Sequence, residues 1–175
     1  IHARTAAEVA GVPLEDVTPT MRAHAKAVNF GLVYGISDFG LARNTGMSRK
    51  EAAAFIEKYF ATYPGVRGFM DRAVKEGYET GMARTIFGRV RRLDELKSGN
   101  VNIRKVGERA AMNTPVQGTA ADIIKLAMVQ VERRLEVEGL KARLILQVHD
   151  ELVVECPIEE APRASALLQE VMENI

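Results

Sequence analysis

The 175-residue chain is 47% hydrophobic and 27% charged, the makeup of a soluble globular protein rather than a disordered or fibrous one. A chain this long buries about 70% of its unfolded surface and needs no disulfide or structural metal to hold a core. Its 24 basic and 23 acidic residues sum to only +1, which argues against a wholesale polyanion coat, but the sum hides a dipole: residues 1–109 carry +6 and residues 110–175 carry −5.

No apolar run approaches the roughly 18–20 residues that span a bilayer, and the N-terminus has no charged stretch followed by an apolar one, so neither a membrane span nor a secretory leader is expected. The single cysteine, Cys156, sits in an apolar run and is expected to be a buried thiol, which suits a reducing, cytoplasmic setting. The chain starts at Ile1 and stops at Glu173-Asn174-Ile175 inside what reads as an amphipathic helix without cap or breaker. It is expected to be a fragment of something larger.

Thr18 followed by Pro19 reads as an N-cap and a first-turn proline, and Gly35 as a stop, which predicts a helix over 19–34. Ser48 and Glu51 form a capping box opening a second helix, with Phe55, Ile56, Tyr59 and Phe60 at helical spacing before Pro64 ends it. Residues 66–80 are expected to be helical up to Gly81. A short strand (84–86), a turn (87–89) and a second strand (90–92) follow. Helical character resumes near Asn102, is expected to break at Pro115 and Gly118, and continues to Gly139. Residues 142–148 and 151–156 read as two strands at hairpin spacing, and a last helix follows Pro157. The pattern predicts a mainly helical α+β fold in which an antiparallel hairpin with flanking helices forms the last third.

Three constellations stand out. Arg22, Lys26, Phe30 and Tyr34 follow one another at i+4, so they lie along one stripe of the 19–34 helix. Two cations and two aromatics in a row suit a ligand with phosphates at one end and a flat base at the other. Snorkelling cations over core aromatics would leave the same pattern. No Walker loop is present. At the hairpin tip, His149 and Asp150 occupy positions where the favoured turn needs positive φ, which both tolerate only moderately, and Glu151 follows. Adjacent carboxylates there suit a hard divalent cation or an ordinary acidic surface turn; Gln147 adds a polar group to that strand. Arg109, Asn113 and Gln117, again four apart, would form a polar ridge for base edges and sugars if Pro115 leaves the helix intact, or else a solvated face. Between Arg84 and Arg109, eight cations face three anions, a phosphate-facing surface or a solvated loop. His24 is isolated.

These residues resemble a known family. Arg22-Ala-His-Ala-Lys26-Ala-Val-Asn-Phe30-Gly-Leu-Val-Tyr34-Gly35 is similar to the fingers-helix motif (motif B) of family A DNA polymerases, the bacterial DNA polymerase I type. Val148-His149-Asp150-Glu151 resembles that family's motif C in the palm, and the segment Met112 to Asp122 looks like the one preceding its long palm helix. The resemblance implies a fingers subdomain over residues 1–100 and a partial palm over 101–175. It implies that Arg22 and Lys26 hold the incoming triphosphate, with Lys26 also protonating the departing pyrophosphate. Phe30 would stack on sugar and base, Tyr34 would sit at the insertion site, and His2 would approach the phosphates. Arg109, Asn113, Gln117 and His149 would touch the primer-template minor groove and Arg91 the DNA backbone. Asp150 would bind metal with Glu151 in support, in a two-Mg²⁺ phosphoryl transfer completed by closure of the 19–34 helix over a correct base pair.

The family's motif A, an Asp-Tyr-Ser-Gln-x-Glu stretch with the second metal aspartate, would lie just before Ile1 and is not in the chain; the thumb, exonuclease domain and last palm strands are missing too. The fragment alone is therefore expected to be catalytically silent, and its cut palm sheet to self-associate. The partners implied are primer-template DNA and deoxynucleoside triphosphates. Two other classes remain open: a non-catalytic nucleic-acid-binding module of the same fold, and a helical protein-interaction domain.

Overall fold

Thr18 accepts a hydrogen bond from the amide of Met21 through its side chain, and Pro19 supplies the first helical turn of α2 (Pro19–Val33), the helix on which the first constellation rides. The computed structural model describes residues 1–175, the side chain of Val33 excepted. By their contacts they form two compact units, Ile1–Ala83 with Val90–Thr114, and Arg84–Arg89 with Pro115–Ile175.

The first unit also contains α1 (His2–Ala10), α3 (Asp38–Thr45), α4 (Arg49–Thr62), α5 (Pro64–Thr80) and α6 (Val101–Asn113), with strands β1 (Met82–Arg84) and β2 (Val90–Arg92) forming a small two-stranded sheet beside the turn Asp94–Lys97. Val9 of α1, Val28 and Leu32 of α2, Leu41 of α3, and Ala52 and Tyr59 of α4 make its main core. A smaller one joins Ala83, Leu93, Leu96, Ala110 and Ala111. Gly77 lets α5 approach this second core: a Cβ there would lie 3.1 Å from Leu93 and 3.2 Å from Ala111.

The capping box forms as its sequence predicts, Ser48 Oγ accepting from Glu51 N at 3.2 Å and Glu51 Oε2 from Ser48 N at 2.8 Å. Pro64 starts a helix rather than ending one. α4 stops at Thr62, Tyr63 caps both helices, and the proline takes the first position of α5, where its missing N–H costs nothing. α1 and α3 carry weak sequence signals. α1 has no side-chain cap, and α3 is eight residues with a glycine inside.

The predicted break at Pro115 and Gly118 is instead a π-helical turn, Thr114–Gly118, that carries the chain from α6 into α7 (Thr119–Val137). One wider turn accommodates the proline's missing donor without ending the helical path, and the Thr114 hydroxyl donates back to Ala110 O at 2.7 Å. In the second unit α7 and α8 (Ala161–Glu173) pack with the antiparallel hairpin β3 (Arg143–Val148) and β4 (Glu151–Glu155). The core there includes Ile124, Val131 and Leu135 of α7, Leu152 of β4, and Leu167 and Val171 of α8. A register shift between Leu144 and Leu146 places a bulge at Ile145. Ile145, Leu146 and Val148 remain exposed. Cys156 is only partly buried, packed at the edge of this core, a correction to the buried thiol expected from its apolar run. α8 ends at Glu173, with Asn174 as its C-cap, so the terminal residues lie outside the helix the sequence suggested. Among the described residues no helix is long and apolar enough to cross a membrane.

Candidate nucleotide and nucleic-acid site

α2 is two-faced in a way that separates the two readings of its stripe. Ala25, Val28 and Leu32 are buried at 0%, 0% and 3% exposure, whereas Phe30 and Tyr34 are exposed at 52% and 51%. Arg22 and Lys26 are exposed as well. The aromatics are therefore not core residues under snorkelling cations. Aliphatic side chains fill the packed face, and the larger rings stay in solvent on the cationic side.

His2 of α1 joins this surface. Its ring lies 5.5 Å from that of Phe30 at an interplanar angle of 47°, and the Asn29 side-chain amide sits 3.1 Å from His2 Nδ1 and donates to Thr5 Oγ1 at 3.1 Å. Desolvation, then the positive charges of Arg22 and Lys26, push the His2 pKa below its ordinary value of 6.5. An imidazole, two cations and an exposed aromatic face thus lie close together in the first unit.

Gly35 ends α2 with φ 67°, and a Cβ there would lie 2.8 Å from Cγ of Arg109. The glycine thus seats the aliphatic stem of Arg109, on α6, against the chain just past Tyr34. Asn113, one turn further along α6, has a buried Oδ1 without a hydrogen-bond partner among the described residues. An acceptor left open is an unusual cost in a folded protein. Gln117 is exposed in the π turn, not on α6 with the other two. Arg91 is exposed on β2, 4.0 Å from Glu95.

At the tip of the β3–β4 hairpin, His149 has φ 54°, the one non-glycine residue with positive φ among those described. Asp150 does not share it, so one central residue of the turn is strained, where the sequence suggested two. Such strain persists only where the surroundings hold it, and it gathers at functional sites. The Gln147 side chain donates to the His149 carbonyl across the turn. His149, Asp150 and Glu151 are all exposed. Among the described residues no group of three or more His, Cys, Asp and Glu side chains is placed to hold a metal ion.

Sequence reasoning missed Asn29 and Asp122. Asn29 lies in the interior of α2, where asparagine is a poor helix former, and that mismatch was its signal. Asp122, in the first turn of α7, is the one buried carboxylate among the described residues and pairs with Arg89 of the loop between β1 and β2. It precedes the apolar run of α7, but helical geometry puts it on the opposite side of the helix from Ala127, Val131 and Leu135.

The family model for DNA polymerase family A matches residues 1–175, and the chain belongs to that family. It is 54% identical over 174 residues to DNA polymerase I of Caldicellulosiruptor bescii and 56% identical over 174 residues to DNA polymerase I of Geobacillus stearothermophilus. Each alignment covers 99% of this chain and 20% of the relative, so the chain spans about a fifth of their length. The solved POL domain of Pol1 from M. smegmatis, in complex with DNA primer-template and dNTP, superposes with a TM-score of 0.94 at 42% identity, covering 99% of this chain and 30% of that one.

Proposed function

We propose that this chain is the fingers (residues 1–100) and partial palm (101–175) of a DNA-directed DNA polymerase that extends a primer 3′-end with deoxynucleotides in replication and repair, working in the cytoplasm. The observation that carries the proposal is the exposed stripe of α2, four residues that the core does not need and that match the polyphosphate, sugar and base of a nucleotide in order.

Arg22 and Lys26 bind the triphosphate, and Lys26 protonates the leaving pyrophosphate; His2 approaches the same phosphates. Phe30 stacks on sugar and base and Tyr34 lines the insertion site. Arg109, Asn113, Gln117 and His149 contact the minor groove, where acceptors shared by all base pairs allow mismatches to be sensed without sequence preference. Arg91 meets the backbone phosphates.

The exposed carboxylates of Asp150 and Glu151 fit Mg²⁺, a hard cation that takes one or two protein carboxylates and fills its shell with water and phosphate oxygens. The chemistry supplied by two bound Mg²⁺ is acidification of the primer 3′-hydroxyl and neutralisation of the pyrophosphate charge. Asp150 is a ligand and Glu151 a supporting carboxylate. On this reading activity belongs to the whole protein.

Primer extension with Mg²⁺ by the whole protein tests this. Wild type extends, and Asp150→Ala and Lys26→Ala each lose activity by orders of magnitude. Near-normal extension by both variants would sink the assigned roles.

A further inference from the structure

Asp122 has no role in the site described, yet burying a carboxylate in the first turn of a helix is expensive unless a cation is held against it. Its Oδ1 pairs with the guanidinium of Arg89, and its Oδ2 has no hydrogen-bond partner among the described residues. Arg89 comes from the loop Arg84–Arg89, which belongs by its contacts to the same unit as α7. That loop is braced internally. Thr85 N donates to Arg89 O at 3.0 Å, Arg89 N to Thr85 Oγ1 at 3.1 Å, and Gly88 N to Thr85 O at 3.0 Å. Thr85 is itself buried.

The loop makes a second tie to the same turn of α7, Ile86 N donating to Thr119 Oγ1 at 3.1 Å. α7 has no side-chain N-cap of its own, so two contacts from one rigid loop grip its first turn at positions three residues apart. The π turn bearing Gln117 runs directly into that turn. An apolar residue at 122 would serve packing as well. What a directional ion pair adds is a fixed rotation of the helix start about its axis, and with it the direction in which Gln117 projects.

We propose that Arg89 and Asp122 are positioning residues that act through Gln117 on discrimination between matched and mismatched primer termini. The proposal rests on the polymerase reading above. The loop sets the guanidinium, the guanidinium sets Asp122, and Asp122 sets the helix turn behind Gln117.

The experiment is steady-state extension of matched and mismatched primer termini by the whole protein, with Arg89→Gln, Arg89→Lys, Asp122→Asn, Gln117→Ala and the double variant Arg89→Gln/Gln117→Ala, each melted in parallel. Small misplacements of positioning groups cost large factors in rate, so Arg89→Gln and Asp122→Asn are expected to shrink the matched-to-mismatched ratio of kcat/KM on the order of tenfold with the KM for dNTP unmoved. Arg89→Lys recovers part of that ratio, and the double variant is no worse than Gln117→Ala alone. A ratio unchanged in Arg89→Gln, whatever happens to Tm, would overturn the proposal, as would losses that multiply in the double variant. Arg89 is half-exposed, so its variants decide the matter even if Asp122→Asn does not fold. Wild-type protein that extends no primer would instead fail the polymerase reading, and this inference with it.

Discussion

At the residue scale, the exposed side of α2 and the glycine after it make the sharpest claims. An arriving anion offsets the desolvation and the neighbouring cations that lower a histidine's pKa. His2 is therefore expected to titrate below 6.5 in an NMR pH titration, to rise toward 6.5 in Arg22→Ala, and to rise again when inorganic triphosphate is added. A midpoint indifferent to both would remove His2 from the phosphate surface. Gly35 is constrained twice, by its φ of 67° and by the Arg109 stem 2.8 Å from where a Cβ would stand. Gly35→Ala should cost about 1–3 kcal/mol in denaturant unfolding. Of these residues, Arg22, Lys26, Phe30 and Tyr34 could be picked out from spacing alone. Their exposure could not, because a helical period marks a face without saying which face packs.

Elements carry the next level of prediction. Removing the Ser48 hydroxyl takes away one half of a reciprocal cap, so Ser48→Ala should destabilise the first unit by about 1 kcal/mol. In the second unit, Arg134 bonds Glu138 at 2.8 Å and Glu170 at 3.2 Å, while Arg163 reaches Glu138 at 3.1 Å, tying the end of α7 to α8. Hydrogen bonding to Arg134 holds the Glu138 carboxyl below its ordinary 4.5. A depressed folded-state pKa contributes stability that is complete above the unfolded value and lost as pH falls through the folded one. Stability should therefore decline as pH drops from 4.5, and less steeply in Glu138→Gln; equal slopes would show the network to be inert. Caps and hairpin spacing were legible locally, since they depend on residues three or four apart. The π turn was not, because Pro115 and Gly118 signal a stop in any isolated segment, and only the continuing α6–α7 path shows that a wider turn absorbs them.

For the whole molecule, the charge dipole of the sequence translates into separate units. The cation-rich stretch through Arg109 belongs mostly to the first unit, and the acidic residues after it to the second. A DNA-binding polymerase segment should lose affinity steeply with salt, and a fluorescence titration with primer-template at two ionic strengths measures it. Salt-independent binding would favour a protein-interaction domain. The exposed Ile145, Leu146 and Val148 of β3 form an apolar strand face. The isolated 175 residues should accordingly self-associate in sedimentation, and a monomer at all concentrations would contradict that.

The sequence by itself determined that the protein is mainly helical with a late antiparallel hairpin, where its capped helices begin, and which family its ordered motifs resemble. These rest on local periodicity, turn chemistry and motif order, all written along the chain. Only the tertiary structure decided that the aromatics of α2 face solvent, that Gly35 seats Arg109, that His149 alone carries the strain of its turn, and that Asp122 is buried against Arg89. Except at the His149 turn, those outcomes depend on residues distant in sequence competing for the same space or charge, and no window along the chain contains both partners.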